Sequence, residues 1–268
     1  AMLEELSDDK PIARSADLLA GTSVGGIIAL GLAAEVEASK IYAAFKERGS
    51  QIFPDRPELG GVFGSARYLM KYGKSAKYSS DALRETIEGL TYDARLRVVD
   101  VALATSAAPT FFPMADIDGA MHADGGLFAN APDILAIHEA EHFLGIDPAL
   151  FHMLSIGTTT SKFSFSHRNG SNFGLIQWMT GQRLIKAMMA SQQKSVEFMA
   201  RHRLQDRYLR LDEEQSPEQN ADLALDMATP HAIGTLTALG EQTGKEARAN
   251  GAIRDFLNHD ARAAEFFK

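Results

Sequence analysis

The stretch LLAGTSVGGIIAL, residues 18–30, constrains what this chain can fold into more than any other segment. It holds one serine, Ser23, among glycines, with an apolar run on each side. A buried strand that leads into a helix through such a segment must turn sharply, and glycines relieve the steric clashes of that turn. We therefore predict a strand over ADLLA, residues 16–20, a turn at Ser23 and a helix over VGGIIALGLAAEV, residues 24–36.

Two interpretations of the turn are open from these residues alone. In the first, Ser23 is a nucleophile, and the amide of Val24, at the start of the helix, faces a developing oxyanion. Gly21, Gly25 and Gly26 then shape the nucleophile elbow. In the second, the turn is an ordinary strand-to-helix connection, of a kind that can bind phosphate. The strand candidate before the turn and the helix candidate after it favour the first interpretation.

The composition is that of an ordinary globular protein. The chain has 268 residues, of which 45% are hydrophobic and 23% charged, and its formal net charge is -8. An acidic protein lacks the basic surface that general nucleic-acid binding requires, so no nucleic-acid partner is expected. The chain contains no cysteine, which excludes disulfides and thiolate metal sites.

Candidate strands and helices alternate along the rest of the chain. Because this alternation is typical of a parallel sheet covered by helices on both faces, we predict a three-layer α/β/α fold with a mainly parallel central sheet, as one domain over residues 1–268. Helices are predicted over residues 39–53, with Gly49 as the stop, and through Leu90 with Ser80 as the N-terminal cap. Further strands are predicted at RLRVV (95–99), AMH (120–122), FHMLSI (151–156) and RYLRL (207–211).

A serine nucleophile needs a base, and HADGGLFANAP, residues 122–132, offers one. Asp124 follows a predicted strand, and the turn at Gly125 and Gly126 could hold its carboxylate at the edge of the sheet. The alternative is an ordinary Asp-Gly turn. The late histidines His231 and His259 could complete an α/β-hydrolase order, but Ser23 comes too early in the chain for that scheme.

Taken together, four segments resemble the patatin-like phospholipases in their order and approximate spacing. They are GTSVGG, TSAAPTFFP, the DGG turn with Asn130 and Pro132 after it, and SIGT. The resemblance implies a patatin-like fold and a histidine-free dyad, in which Ser23 is the nucleophile and Asp124 the general base, with no cofactor. It also implies a lipid acyl hydrolase that cleaves fatty-acyl esters of membrane phospholipids through an acyl-enzyme.

The chain departs from the family pattern in two places. The family has a glycine-rich loop, D-G-G-G-x-R-G, whose amides form an oxyanion hole, and AMLEEL resembles the helix that follows this loop. We therefore expect the native protein to have preceding residues that supply the loop. The family also has a further strand and a hairpin between the segments RLRVVD and VALATSAAP, which are joined abruptly in this chain at Val99 and Asp100.

A competing motif is HEAEH at residues 138–142, which matches the H-E-x-x-H helix of zinc peptidases. His138 and His142 could share a metal ion, with Glu139 as the base, but the longer pattern requires a third ligand at the position of Pro148. We interpret the motif as a solvated helix face and expect no metal. A non-catalytic lipid- or nucleotide-binding module of the same fold is a further alternative.

Other sequence features indicate a candidate activator and a cellular location for the protein. The C-terminal half resembles bacterial patatin-like phospholipases that act in cyclic-oligonucleotide antiphage signalling, which implies a cyclic dinucleotide as a candidate activator. Residues 60–78 interleave aromatic and basic side chains, either as a membrane contact or lid or as a solvated loop. AMLEELSDDK has no signal-peptide pattern, so we expect a cytoplasmic protein that is peripheral to the inner face of the membrane when active.

Overall fold

The computed structural model of the protein describes residues 1–7, 11–54, 76–88, 97–159, 172–179, 183–216, 219, 223 and 226–263. Most of the basic aromatic segment 60–78 lies outside these ranges. The helices are α1 (Met2–Leu6), α2 (Val24–Ala33), α3 (Ala38–Ile52), α4 (Asp81–Glu88), α5 (Val98–Thr105), α6 (Gly126–Ala129), α7 (Asp133–His138), α8 (Leu175–Met179), α9 (Arg183–Leu204), α10 (Pro230–Ala249) and α11 (Gly251–Leu257). The strands are β1 (Ala115–Ile117), β2 (Ala120–His122), β3 (Met153–Ile156) and β4 (Tyr208–Leu211).

Both kinds of strand pairing occur in the described ranges. β1 and β2 form an antiparallel hairpin in which Asp116 pairs with Met121. β3 and β4 are parallel, although about fifty residues separate them in the chain, and Met153 pairs with Tyr208. A parallel pair among helices places the protein in the α/β class. The three-layer sandwich, its mainly parallel central sheet and the single domain over 1–268 stay predictions.

Two predicted strands are wrong. Residues 16–20 form neither a helix nor a strand, and Leu18 is 40% exposed, so this segment is not a buried strand. Leu19 nevertheless packs against the cluster that contains β3 and β4 side chains. The segment RLRVV was predicted as a strand, but Val98 and Val99 begin α5.

The helix at Val98 has a local cause. Arg97 donates to the Asp100 carboxylate from Nε at 2.9 Å, which places an acidic side chain in the first turn. Negative charge is stabilising at a helix N-terminus. Val99, Ala102 and Leu103 are buried together, which is the i, i+3, i+4 spacing of one helix face. The join at Val99 and Asp100 therefore lies inside one continuous helix.

The predicted helix end at Gly49 is also wrong. α3 continues past Gly49 to Ile52, and Gly49 is buried. A Cβ atom there would lie 3.3 Å from the Cβ of Ala228, so this glycine lets the segment before α10 approach α3 rather than ending the helix. The helix that Ser80 was predicted to cap begins at Asp81, directly after Ser80, and its predicted end at Leu90 lies outside the described residues.

Helix α2 lies between two hydrophobic cores. Ile27 belongs to a core that includes Leu103 of α5 and Phe111. Leu32 belongs to a second core, with Leu6 of α1 and Leu211 of β4. Burial of apolar side chains on both sides fixes the position of α2, and therefore the position of Ser23 at its start. Among the helices that the structure describes, none combines the length and apolarity needed to cross a membrane.

The N-terminal helix α1 crosses α10 at a glycine. A Cβ atom at Gly244 would lie 2.6 Å from the Cβ of Glu5, whereas at Gly234, in the same helix, it would meet nothing within 4 Å. The two positions differ in the space around them and share the low helix propensity of glycine.

We expect Gly244→Ala to destabilise the protein by about 1–3 kcal/mol, because overpacking outweighs the gain in helix propensity. Gly234→Ala should stabilise it by up to about 1 kcal/mol. Urea unfolding of the two variants measures both values. Equal effects at the two glycines would contradict the close crossing of α1 and α10.

Candidate active site

Ser23 stands on a strained turn at the N-terminus of α2. Its φ of 55° and ψ of -127° are outside the regions that non-glycine residues normally occupy. Two hydrogen bonds hold the turn. The amide of Ser23 donates to Thr105 Oγ1 at 3.0 Å, and Thr22 Oγ1 donates to the carbonyl of Ala129 at 2.7 Å.

The glycines predicted for the elbow have different surroundings. A Cβ atom at Gly21 would lie 2.0 Å from the carbonyl oxygen of Gly25, so the turn closes only around a glycine. A Cβ atom at Gly26 would lie 2.9 Å from Thr105 Cγ2, which allows α2 to approach α5 closely. At Gly25 a Cβ atom would meet nothing within 4 Å. The side of the turn at Gly25 is therefore open.

The first two amides of α2 belong to the same turn. Val24 and Gly25 lie in the first turn of the helix, where amides have no intrahelical partner. Within the part of the chain that the structure describes, neither amide donates a hydrogen bond. A helix N-terminus with free amides stabilises negative charge.

Asp124 is buried, and its turn is fixed by the segment that follows α5. Its amide donates to the carbonyl of Ala107 at 2.9 Å, and the amide of Gly125 donates to the carbonyl of Thr105 at 3.2 Å. Its carboxylate accepts from the amide of Gly126 at 2.6 Å through Oδ1. The aspartate and the two glycines after it therefore form a rigid turn that continues into α6.

The structure brings Ser23 and Asp124 together. Ser23 Oγ donates to Asp124 Oδ2 at 2.7 Å, although 101 positions separate the two residues. Burial raises the pKa of the Asp124 carboxyl above its ordinary value, and the hydrogen bonds from Ser23 and Gly126 oppose this effect. A carboxylate with a raised pKa, at hydrogen-bond distance from a hydroxyl, is a suitable proton acceptor for that hydroxyl.

Sequence reasoning missed two residues that hold the site. Thr105 contacts both turns, as described above. Gln192 of α9 holds α6: its Nε2 donates to the carbonyl of Leu127 at 3.0 Å, and its Oε1 accepts from the amide of Asn130 at 3.3 Å. The TSAAP segment was part of the family pattern but gave no role to its threonine, and Gln192 has no local sequence signal.

The histidines lie elsewhere. His138 ends α7 and His142 follows in a short π-helix, Glu139–Phe143, and both side chains are exposed. Their rings stack with an interplanar angle of 11°, so their nitrogen lone pairs lie in nearly parallel, separate planes and do not converge on one point. Glu141 forms an ion pair with Arg203. Over the described ranges, no group of three histidine, aspartate or glutamate side chains could hold a metal ion.

The structure also describes His231 and His259, the two candidates for the late histidine that an α/β-hydrolase order would require. His259 Nε2 lies 2.8 Å from Asp17 Oδ2, and His231 lies in the first turn of α10. The carboxylate of Asp124 bonds to Ser23 and Gly126 instead. A serine on a strained turn, bonded to a buried carboxylate and followed by free helix amides, is the arrangement of a serine hydrolase.

Comparison with known proteins agrees with this class. The model of the patatin-like phospholipase family matches residues 91–137, a range that contains Asp124. A cGAMP-activated phospholipase of Pseudomonas aeruginosa is 34% identical over 96% of this chain and 86% of its own length. Proteins of the same name from Vibrio cholerae and Escherichia coli are 29% and 31% identical, over 92% and 90% of this chain and 84% and 81% of their own lengths.

The chain belongs to the patatin-like phospholipase family. It is therefore a lipid-hydrolysing esterase, as the resemblance of its motifs implied.

The buried carboxylate of Asp124 should make stability depend on pH. A folded-state pKa above the unfolded one means that the native state binds the proton more tightly, so stability falls as pH rises through the acid range. We expect Asp124→Asn, which has no charge, to be more stable than the wild type near pH 7, by a margin that shrinks toward pH 4. Urea unfolding at several pH values measures this margin. A margin that does not change with pH would contradict the raised pKa.

Proposed function

We propose that Ser23 is the nucleophile and Asp124 the general base of this enzyme. The observation that carries the proposal is the 2.7 Å hydrogen bond from Ser23 Oγ to Asp124 Oδ2 at the strained turn. Ser23 Oγ attacks the carbonyl carbon of a fatty-acyl ester while its proton passes to Asp124. The tetrahedral intermediate collapses, the alcohol oxygen of the lysolipid leaves with the proton from Asp124, and the acyl group stays on Ser23.

The second half of the reaction releases the fatty acid. Water attacks the acyl-enzyme and gives its proton to Asp124, and the new intermediate expels Ser23 Oγ, which takes the proton back. The amides of Val24 and Gly25 would donate to the oxyanion in both intermediates, with support from the dipole of α2. Residues 1–268 would form a single patatin-like domain with a three-layer α/β/α arrangement.

The proposed substrate is a phospholipid at the surface of a bilayer, and the enzyme would act at the inner face of the membrane from the cytoplasm. Apolar side chains beside the dyad support this proposal. Leu127 and Phe128 directly follow the DGG turn and are 43% and 78% exposed, and Val24, next to Ser23, is 41% exposed. Large exposed apolar side chains around a site favour contact with an apolar partner.

We further propose that a cyclic dinucleotide activates the enzyme in antiphage defence. The three bacterial relatives are named cGAMP-activated phospholipases, and the alignments extend over 90–96% of this chain. The acidic net charge of -8 requires that any site for this anion supply local positive charge.

Ser23→Ala and Asp124→Asn should each reduce fatty-acid release from phospholipid vesicles by about 10³-fold or more, because each removes half of the dyad. The assay is run with and without cyclic GMP–AMP, which should raise the rate of the wild type. His138→Ala and a metal chelator serve as controls and should leave the rate unchanged. A wild-type rate in Ser23→Ala would overturn the dyad, and a rate lost with chelator or His138→Ala would favour the zinc peptidase motif.

Phe128→Ser should weaken binding to phospholipid vesicles by about tenfold or more, since a phenyl ring contributes roughly 1.5–3 kcal/mol when it leaves water. Phe198→Ser is the matched control: Phe198 is 72% exposed but lies on another face of α9 from Gln192. Sedimentation with vesicles measures binding, and a soluble short-chain ester checks that the dyad still works. Equal losses of binding in the two variants would contradict a membrane contact at α6.

A further inference from the structure

Thr105 is the last residue of α5. Within the described ranges, its side chain is the only one that forms a hydrogen bond with the backbone of Ser23. We propose that Thr105 is a positioning residue that sets the geometry between Ser23 and Asp124 for the reaction. The inference rests on the proposed function, because it assigns a task toward that nucleophile and that base. The evidence is that Thr105 accepts hydrogen bonds from both turns, through its side chain from Ser23 and through its carbonyl from Gly125.

The first contact acts on the nucleophile. Thr105 Oγ1 accepts the amide of Ser23 at 3.0 Å, and Ser23 has the positive φ of 55° that the turn requires. A backbone in such a conformation persists only where its surroundings hold it. The same bond engages the Ser23 amide, so a substrate carbonyl meets the amides of Val24 and Gly25 instead. Thr105 therefore fixes the direction from which Ser23 presents its hydroxyl.

The second contact acts on the base. The carbonyl of Thr105 accepts from the amide of Gly125 at 3.2 Å, and two residues later the carbonyl of Ala107 accepts from the amide of Asp124 at 2.9 Å. The turn that carries the base is thus bound to the segment that holds the turn of the nucleophile. Small displacements at a reacting pair reduce rates strongly, so a common support for both groups matters for catalysis.

The shape of threonine suits this task. Thr105 Cγ2 lies against α2, where a Cβ atom at Gly26 would be only 2.9 Å away. A β-branched side chain has few rotamers, so the packed methyl group also orients the hydroxyl. Valine would preserve this packing and remove the acceptor, whereas serine would preserve the acceptor and remove the methyl group.

The experiment compares Thr105→Val with Thr105→Ser. We expect Thr105→Val to lower kcat by roughly 10- to 100-fold at little change in KM, since the half-buried amide of Ser23 loses its acceptor. Thr105→Ser should stay within about threefold of the wild type. Thr86→Val is the matched control, because Thr86 is buried and donates only to Ala82 within α4. Its kcat should equal that of the wild type.

The pH profile separates positioning from a merely structural role. The hydrogen bond from Ser23 lowers the pKa of Asp124, so a misplaced Ser23 should move the acid limb of kcat/KM to higher pH in Thr105→Val. If that variant does not fold, Thr105→Ala provides the same measurement. A wild-type kcat without the acceptor, an equal loss in Thr105→Ser, or an unmoved acid limb would each overturn the inference. Full activity in Ser23→Ala would instead overturn the proposed function itself.

Discussion

The left-handed backbone of Ser23 is the constraint on which the rest of the site depends. A φ of 55° is unfavourable for a residue with a side chain, and it is held by a bond to Thr105 and by a turn that closes only around Gly21. Because of this conformation, the Ser23 hydroxyl donates a hydrogen bond to Asp124. The amides of Val24 and Gly25 donate no hydrogen bond within the described structure. Two hydrophobic cores hold α2 in this position.

The second constraint is the buried carboxylate of Asp124. Burial disfavours its charged form, and the protein offsets this only in part, with one hydroxyl and one amide donor. A fuller set of donors would stabilise the carboxylate and make it a weaker base. In the proposed mechanism, the lower stability of this carboxylate accompanies a greater capacity to accept a proton, which is common at catalytic positions.

The sequence predicted those parts of the site that depend on residues adjacent to one another in the chain. The glycines around Ser23 and after Asp124 indicated two turns, and the family resemblance linked them. The strand predicted over residues 16–20 failed because an apolar run does not specify pairing, and this segment leaves Leu18 exposed. RLRVV failed because β-branched residues also fit a buried helix face, and Asp100 stabilises the start of that helix. Thr105 and Gln192 were missed because their partners are distant in the chain and their residue types have no specific signature.

In the proposed mechanism, Ser23 attacks the ester and Asp124 accepts the proton of the serine hydroxyl. The most direct test is covalent labelling with an alkyl fluorophosphonate, followed by peptide mass spectrometry of the modified protein. The mechanism predicts one adduct, on Ser23, that forms much more slowly when Asp124 is replaced by asparagine in a protein that remains folded. An adduct on another residue, or labelling of Ser23 at an unchanged rate without the carboxylate, would contradict it.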